Sequence, residues 1–122
     1  MTLQMMALVG AGVIGAGVAV VHGVLVQRLM VRPFVASGAA ARPAGRLVPP
    51  LLQFTTYNWL LGGVALVAAA LWLEPQARLV TAGLVGSSYL FGAVGNFWGT
   101  RGRHPGWVLY AVALGLIVYA VI

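Results

Sequence analysis

The residues able to do chemistry in this 122-residue chain are few and one-sided. His22 and His104 are its only imidazoles, Glu74 is its only acid, and cysteine is absent. A hydrolytic site needs a carboxylate to orient its histidine, or two carboxylates for acid–base work. Neither can be assembled here. Without cysteine there is no thiolate nucleophile or ligand, and two histidines with a remote Glu74 do not make a usual zinc set. Hydrogen bonding and positive charge remain. His22, Gln27, Gln53, Tyr57, Asn58, Asn96 and His104 supply neutral donors and acceptors, while Arg28, Arg32, Arg42, Arg46, Arg101 and Arg103 supply charge. No cofactor is expected. Haem or another tetrapyrrole at His22, with His104 as second axial ligand, is the alternative that these residue types admit.

A second pattern suggests other chemistry. Gly10, Gly12 and Gly15 in "LVGAGVIGAGVAVVHG" have the spacing of a dinucleotide-binding loop. That loop works only between a strand and a helix, with an acid about 20 positions on to meet the ribose. Here the glycines lie inside one apolar run, and the nearest acid is Glu74. Helical spacing explains them better. Gly12, Ala16, Ala19 and Gly23 fall on one helix face, and Ser88 and Gly92 repeat the device further along. Small residues at such intervals let another helix approach closely. On this reading the first and third apolar segments are the tight-packing elements.

The elements that must position these side chains follow from composition. A soluble domain is about one quarter charged, whereas this chain is 7% charged and 61% hydrophobic. So few charges cannot clothe a globule in water, so lipid is the expected solvent. The chain reads as one all-α integral membrane domain, an up-and-down bundle of four transmembrane helices at about 5–27, 50–73, 79–98 and 105–122. Prolines at 49, 50 and 105 mark the starts of two of them, where the missing N–H costs little. "EPQAR" joins the second and third as a tight hairpin.

Arginine placement sets the orientation. The linker at about 28–49 carries Arg28, Arg32, Arg42 and Arg46, and the connection before the fourth span carries Arg101 and Arg103. Arg78 stands alone on the other side, beside Glu74. By the positive-inside rule the six arginines face the cytoplasm and both termini lie outside. A net charge of +6 would suggest nucleic acid in a soluble protein. Between apolar runs it suggests anionic headgroups instead, and no nucleic acid is expected. No basic residue precedes the first apolar stretch, so a cleaved secretory signal is not expected. Arg28–Phe34 can extend the first helix into the headgroup layer, and "ASGAAARPAG" reads as flexible linker.

Orientation gathers the polar residues into one half. His22 lies six residues above Arg28, roughly 9 Å deeper at helical rise. Gln53 and Tyr57 share a face of the second span, Thr56 and Asn58 lie nearby, and Asn96 and His104 flank the last connection. A single cluster on the cytoplasmic side is expected, in which a neutral His22 could donate to a side chain such as Gln53 or Asn58. It serves either as interhelical hydrogen bonds, worth about 0.6 kcal/mol each, or as a pocket open to the cytoplasm or inner leaflet.

The runs "VVHGVLVQRLMVRPF", "LLQFTTYNWLLGGVAL" and "RGRHPGWVLYAV" resemble a group of small bacterial four-helix inner-membrane proteins of uncharacterised function. The matching positions are His22, Arg28, Tyr57, Trp59, Arg101, His104, Pro105, Gly106 and Trp107. Where that group often carries L-G-E after the first histidine, this chain reads Val24, Leu25, Val26 and Gln27, without the acid. The resemblance implies a bacterial inner-membrane location and lends no activity. The leading expectation is an accessory subunit or self-associating bundle, working through helix packing and arginine–lipid contacts. The alternative is a binder or transporter of a small amphipathic or anionic ligand. A membrane enzyme is the remaining reading.

Overall fold

A computed structural model describes all residues, Met1–Ile122, and contains helices and turns but no strand. Its elements are α1 (Leu3–Val26), α2 (Arg32–Ala36), α3 (Val48–Trp72), α4 (Pro75–Thr100) and α5 (Gly106–Val121). Thr2 starts α1 by accepting the Met5 N–H at 3.1 Å, which satisfies one of the unpaired donors of the first turn. A π-helical turn, Gln27–Val31, joins α1 to α2, so the first helix runs without interruption to Ala36. Pro33 is the physical reason. It has no N–H to offer the carbonyl four residues back, and its ring crowds that carbonyl, so the preceding turn widens. The Arg32 N–H accordingly reaches back to the Gln27 carbonyl, five residues away.

The expected linker therefore shortens to residues 37–47, which hold two short 3-10 turns, Ala39–Ala41 and Ala44–Leu47. The third span also begins earlier than expected. Glu74 is extended and Pro75 opens α4, leaving Leu73 and Glu74 as the whole connection. Arg78 seals this hairpin by donating to the Ala69 and Leu73 carbonyls at 3.2 and 2.9 Å. Those carbonyls end α3 and carry the negative pole of its dipole.

Facing residues give the topology. Gly12 meets Gly63 and Gly23 meets Thr56, so α1 and α3 run antiparallel. Gly62 against Val85 and Gly92 against Trp59 set α4 antiparallel to α3, and Gly86 against Ile117 with Gly106 against Asn96 does the same for α5 and α4. Gly10 against Leu116 closes the ring between α1 and α5. The four long helices thus form an up-and-down bundle whose sides are α1–α3, α3–α4, α4–α5 and α5–α1.

The partners of the small-residue helices follow from this ring. The first and third spans, α1 and α4, lie on a diagonal, and the closest backbone approach is between α1 and α3. A Cβ on Gly63 would stand 2.6 Å from the Gly12 carbonyl oxygen and 2.7 Å from the Ala16 nitrogen. The small-residue face was legible, but a stripe does not say which helix it receives. Gly92 receives not α1 but the Trp59 indole of α3.

The interior inverts the usual order of sizes. Ala and Gly dominate the buried positions, and no polar or charged side chain is among them. Rings fill the centre. Trp59 of α3 contacts Tyr110 of α5 at 4.8 Å, and Tyr110 contacts Tyr89 of α4 at 4.9 Å. Tyr89 crosses the diagonal to lie over Gly15 of α1. Outward stand Leu84, Phe91, Val94 and Trp98, the last 83% exposed. In water such a surface would associate. Leu3–Ala36, Ala44–Trp72 and Pro75–Thr100 are each long and apolar enough to cross a membrane. α5 has 16 residues, about 24 Å at helical rise.

Candidate functional site

The polar residues of the arginine-rich end do not form one cluster. They separate into three, because α3 presents Gln53, Asn58 and Trp59 on different faces. Gln53 turns to α1, where its Nε2 donates to the Gly23 carbonyl at 3.0 Å and to Gln27 Oε1 at 3.2 Å. Asn58 turns to α4 and shares a groove with Gly62, Thr81 and Ser88. Tyr57 projects outward, 62% exposed, and belongs to none of them. His22 therefore makes no bond to Gln53 or Asn58, because both amides face elsewhere.

His22, Asn96 and His104 do converge. They line one end of a cavity of about 320 Å3 between α1 and α5. Val13, Gly17, Val18 and Val21 of α1 form one wall, and Leu109 of α5 forms the other. Trp59 forms part of the lining from α3. Nothing stands within 4 Å of where a Gly17 side chain would begin, so this glycine leaves space, whereas Gly15 is covered by Tyr89. The lining is apolar along its length and polar at one end. This is the usual build of a small-molecule site, near the lower limit of size.

Local structure accounts for the polar end. α4 stops where Arg101 takes a left-handed conformation, φ 54°, followed by Gly102 at φ 73°. The Gly102 N–H donates to the Phe97 carbonyl at 2.8 Å, and Trp107 Nε1–H donates to the Gly102 carbonyl at 3.1 Å. This tight reversal sets His104 just before α5. Gly106 then lets two polar groups meet, since a Cβ there would stand 2.9 Å from His104 Nδ1 and 3.2 Å from Asn96 Nδ2. The Gly106 N–H donates to His104 Nδ1 at 3.1 Å. An acceptor cannot also carry a proton, so the neutral His104 ring holds its hydrogen on Nε2, as a donor. His22 packs edge-on against Trp59 at 4.7 Å, and its ring nitrogens make no hydrogen bond. Asn96 Oδ1 is buried without a partner.

The arrangement can therefore hold a polar head with both donors and acceptors, beneath an apolar body. Nothing in it builds a metal centre from side chains, since no group of three or more His, Cys, Asp or Glu comes together. Of the expected site residues, His22, Asn96 and His104 are brought together, and Gln27 and Gln53 pair with each other apart from them. Trp59, Gly106 and Gly17 complete the lining but were outside the expected pocket. Trp59 carried a usable signal. It sits about 16 Å into α3 at helical rise, whereas membrane tryptophans favour the interfaces. The outward-facing Trp72 and Trp98, at opposite ends of the bundle, follow that preference.

No family model matches the chain, and no curated protein or solved structure shows significant similarity to it.

Proposed function

We propose that this chain is a membrane-embedded binding protein for a small amphipathic molecule. The apolar part of the ligand lies between α1 and α5, against Gly17 and Val21, and its head meets His22, Asn96 and His104. One observation carries the reading: three polar side chains with unused hydrogen-bonding capacity meet at one end of an otherwise apolar cavity. Of these, Asn96 Oδ1 is buried without a partner, which costs about 1–3 kcal/mol, a cost that a donor on the ligand head would remove. Val13, Val21 and Leu109 are also exposed on the outer surface, which gives the acyl region a lateral route into the cavity.

On this reading the bundle lies in a bacterial inner membrane, with the arginine-rich end and the head-binding groups towards the cytoplasm and both termini on the far side. The accessory-subunit reading drew on the stripe Gly12, Ala16, Ala19 and Gly23. That stripe is used inside the bundle: Gly12 and Gly23 meet α3 directly, and Ala19 is fully buried. It offers little to a second protein.

Native mass spectrometry of the chain released from membrane nanodiscs tests the proposal. The wild type should retain a small-molecule adduct. His22→Ala with His104→Ala should lose it without loss of folding, as should Gly17→Leu, whose side chain would plug the cavity. A Soret band in the same preparation would identify the adduct as a tetrapyrrole. Absence of any adduct, or its retention by the plugged variant, would overturn the reading.

A further inference from the structure

We infer that a second site, independent of the cavity, binds the phosphate of an anionic phospholipid at the π-turn of the first helix. The site is a groove of about 440 Å3 on the α3 side of the first helix, where Gln27, Arg28 and Arg32 meet Val20, Val24 and Thr56.

The hydrogen-bond order at the groove fixes its chemistry. The Gly23 carbonyl can only accept, so the Gln53 group facing it must be the amide nitrogen. The same nitrogen donates to Gln27, which must therefore present its oxygen. Gln53 Oε1 is occupied too, accepting the Thr56 hydroxyl at 2.9 Å. The relay ends on the Gln27 amide nitrogen, whose two N–H groups have no acceptor in the chain. Gly23 makes this possible. A Cβ there would stand 2.6 Å from the Thr56 methyl, and α3 would be held away from the relay.

Arg28 and Arg32 line the same groove as Gln27. They lie four residues apart across the π-turn and share one groove. No carboxylate can neutralise them, because Glu74 is at the other end of the bundle, in the α3–α4 hairpin. Donors alone, two of them cationic and forked, suit an oxyanion such as phosphate. The apolar half selects the source. Val20 and Val24 continue the groove along α1 and are 55% and 46% exposed, giving an acyl chain a track that free phosphate would leave empty.

Nanodiscs of pure phosphatidylcholine, or of phosphatidylcholine with phosphatidylglycerol, provide the test, with bound lipid read by native mass spectrometry. Wild type should retain phosphatidylglycerol in preference to phosphatidylcholine. Arg28→Gln with Arg32→Gln should weaken retention about tenfold or more, and Gln27→Glu should weaken it as well. Arg42→Gln with Arg46→Gln removes equal charge outside the groove and should leave retention within about twofold of wild type. Equal loss in both double variants would overturn the inference in favour of diffuse attraction. Displacement by millimolar inorganic phosphate in detergent would overturn the lipid as occupant.

Discussion

The contact between α1 and α3 yields a sharp prediction, because backbone opposes backbone there and neither side can rotate away. Gly63→Ala places a Cβ 2.6 Å from the Gly12 carbonyl oxygen, 2.7 Å from the Ala16 nitrogen and 3.0 Å from the Ala16 Cβ. Ordinary van der Waals contact begins near 3.4 Å, so the two helices must part by about 0.8 Å, the difference between 3.4 and 2.6. A gap of 0.5–1 Å forfeits roughly a quarter to a half of each dispersion contact along the seam. Overpacking of this kind costs about 1–3 kcal/mol. Against that, alanine is a better helix former than glycine by about 0.5–1 kcal/mol. The net expectation is a loss of about 1–2 kcal/mol. Gly83→Ala and Gly115→Ala make the same chemical change where nothing lies within 4 Å, so they should gain about 0.5–1 kcal/mol. Thermal unfolding in one detergent, followed by far-ultraviolet circular dichroism, would order the variants: Gly63→Ala below wild type, the other two at or above it. Combining Gly12→Ala with Gly63→Ala should cost less than the sum of the two, because one separation relieves both clashes. Gly63→Ala unfolding together with Gly83→Ala would refute the close approach, and with it the register of α1 on α3.

Two further substitutions probe local features. Arg101 ends α4 with φ 54°, so Arg101→Gly should raise stability by about 1 kcal/mol in the same melts; a fall would mean that its side chain holds the turn. The Tyr110 hydroxyl is buried without a partner, so Tyr110→Phe should be neutral or stabilising by up to about 1 kcal/mol, and a clear loss would reveal a hydrogen bond to that hydroxyl.

The bundle was legible because its signals are one-dimensional. Long apolar runs, prolines at helix starts and arginines in alternate connections each fix a span or an end without reference to a neighbour. The π-turn was not legible, although its cause was in view: Pro33 inside a run that reads as continuous helix. The site was legible only in part, for a geometric reason. Depth along the bundle follows from sequence number, and it placed His22, Gln53, Asn58, Asn96 and His104 in one half. Rotation about each helix axis is set by packing. Residues 53, 57, 58 and 59 span most of a turn of α3, and which of them faces inward depended on Trp59 finding the space above Gly92. Once that ring points to the centre, Gln53 is committed to α1, Asn58 to the α4 side and Tyr57 to the outside.

The glycines of α1 are met in different ways. Gly12 is met by the backbone of α3, Gly15 by the Tyr89 ring, and Gly23 by Thr56. Each small residue is answered by a group from a neighbouring helix that uses the space, as close packing requires. Gly17 is exposed and met by nothing, and it borders the cavity beside the polar end formed by His22, Asn96 and His104. The glycine left uncovered thus lies at the mouth of the cavity that holds the side chains best able to meet a polar head. A ligand seated there would stand to Gly17 as Tyr89 stands to Gly15. Binding would then tie α1 to α5 across the cavity between them, so occupancy and thermal stability should rise together.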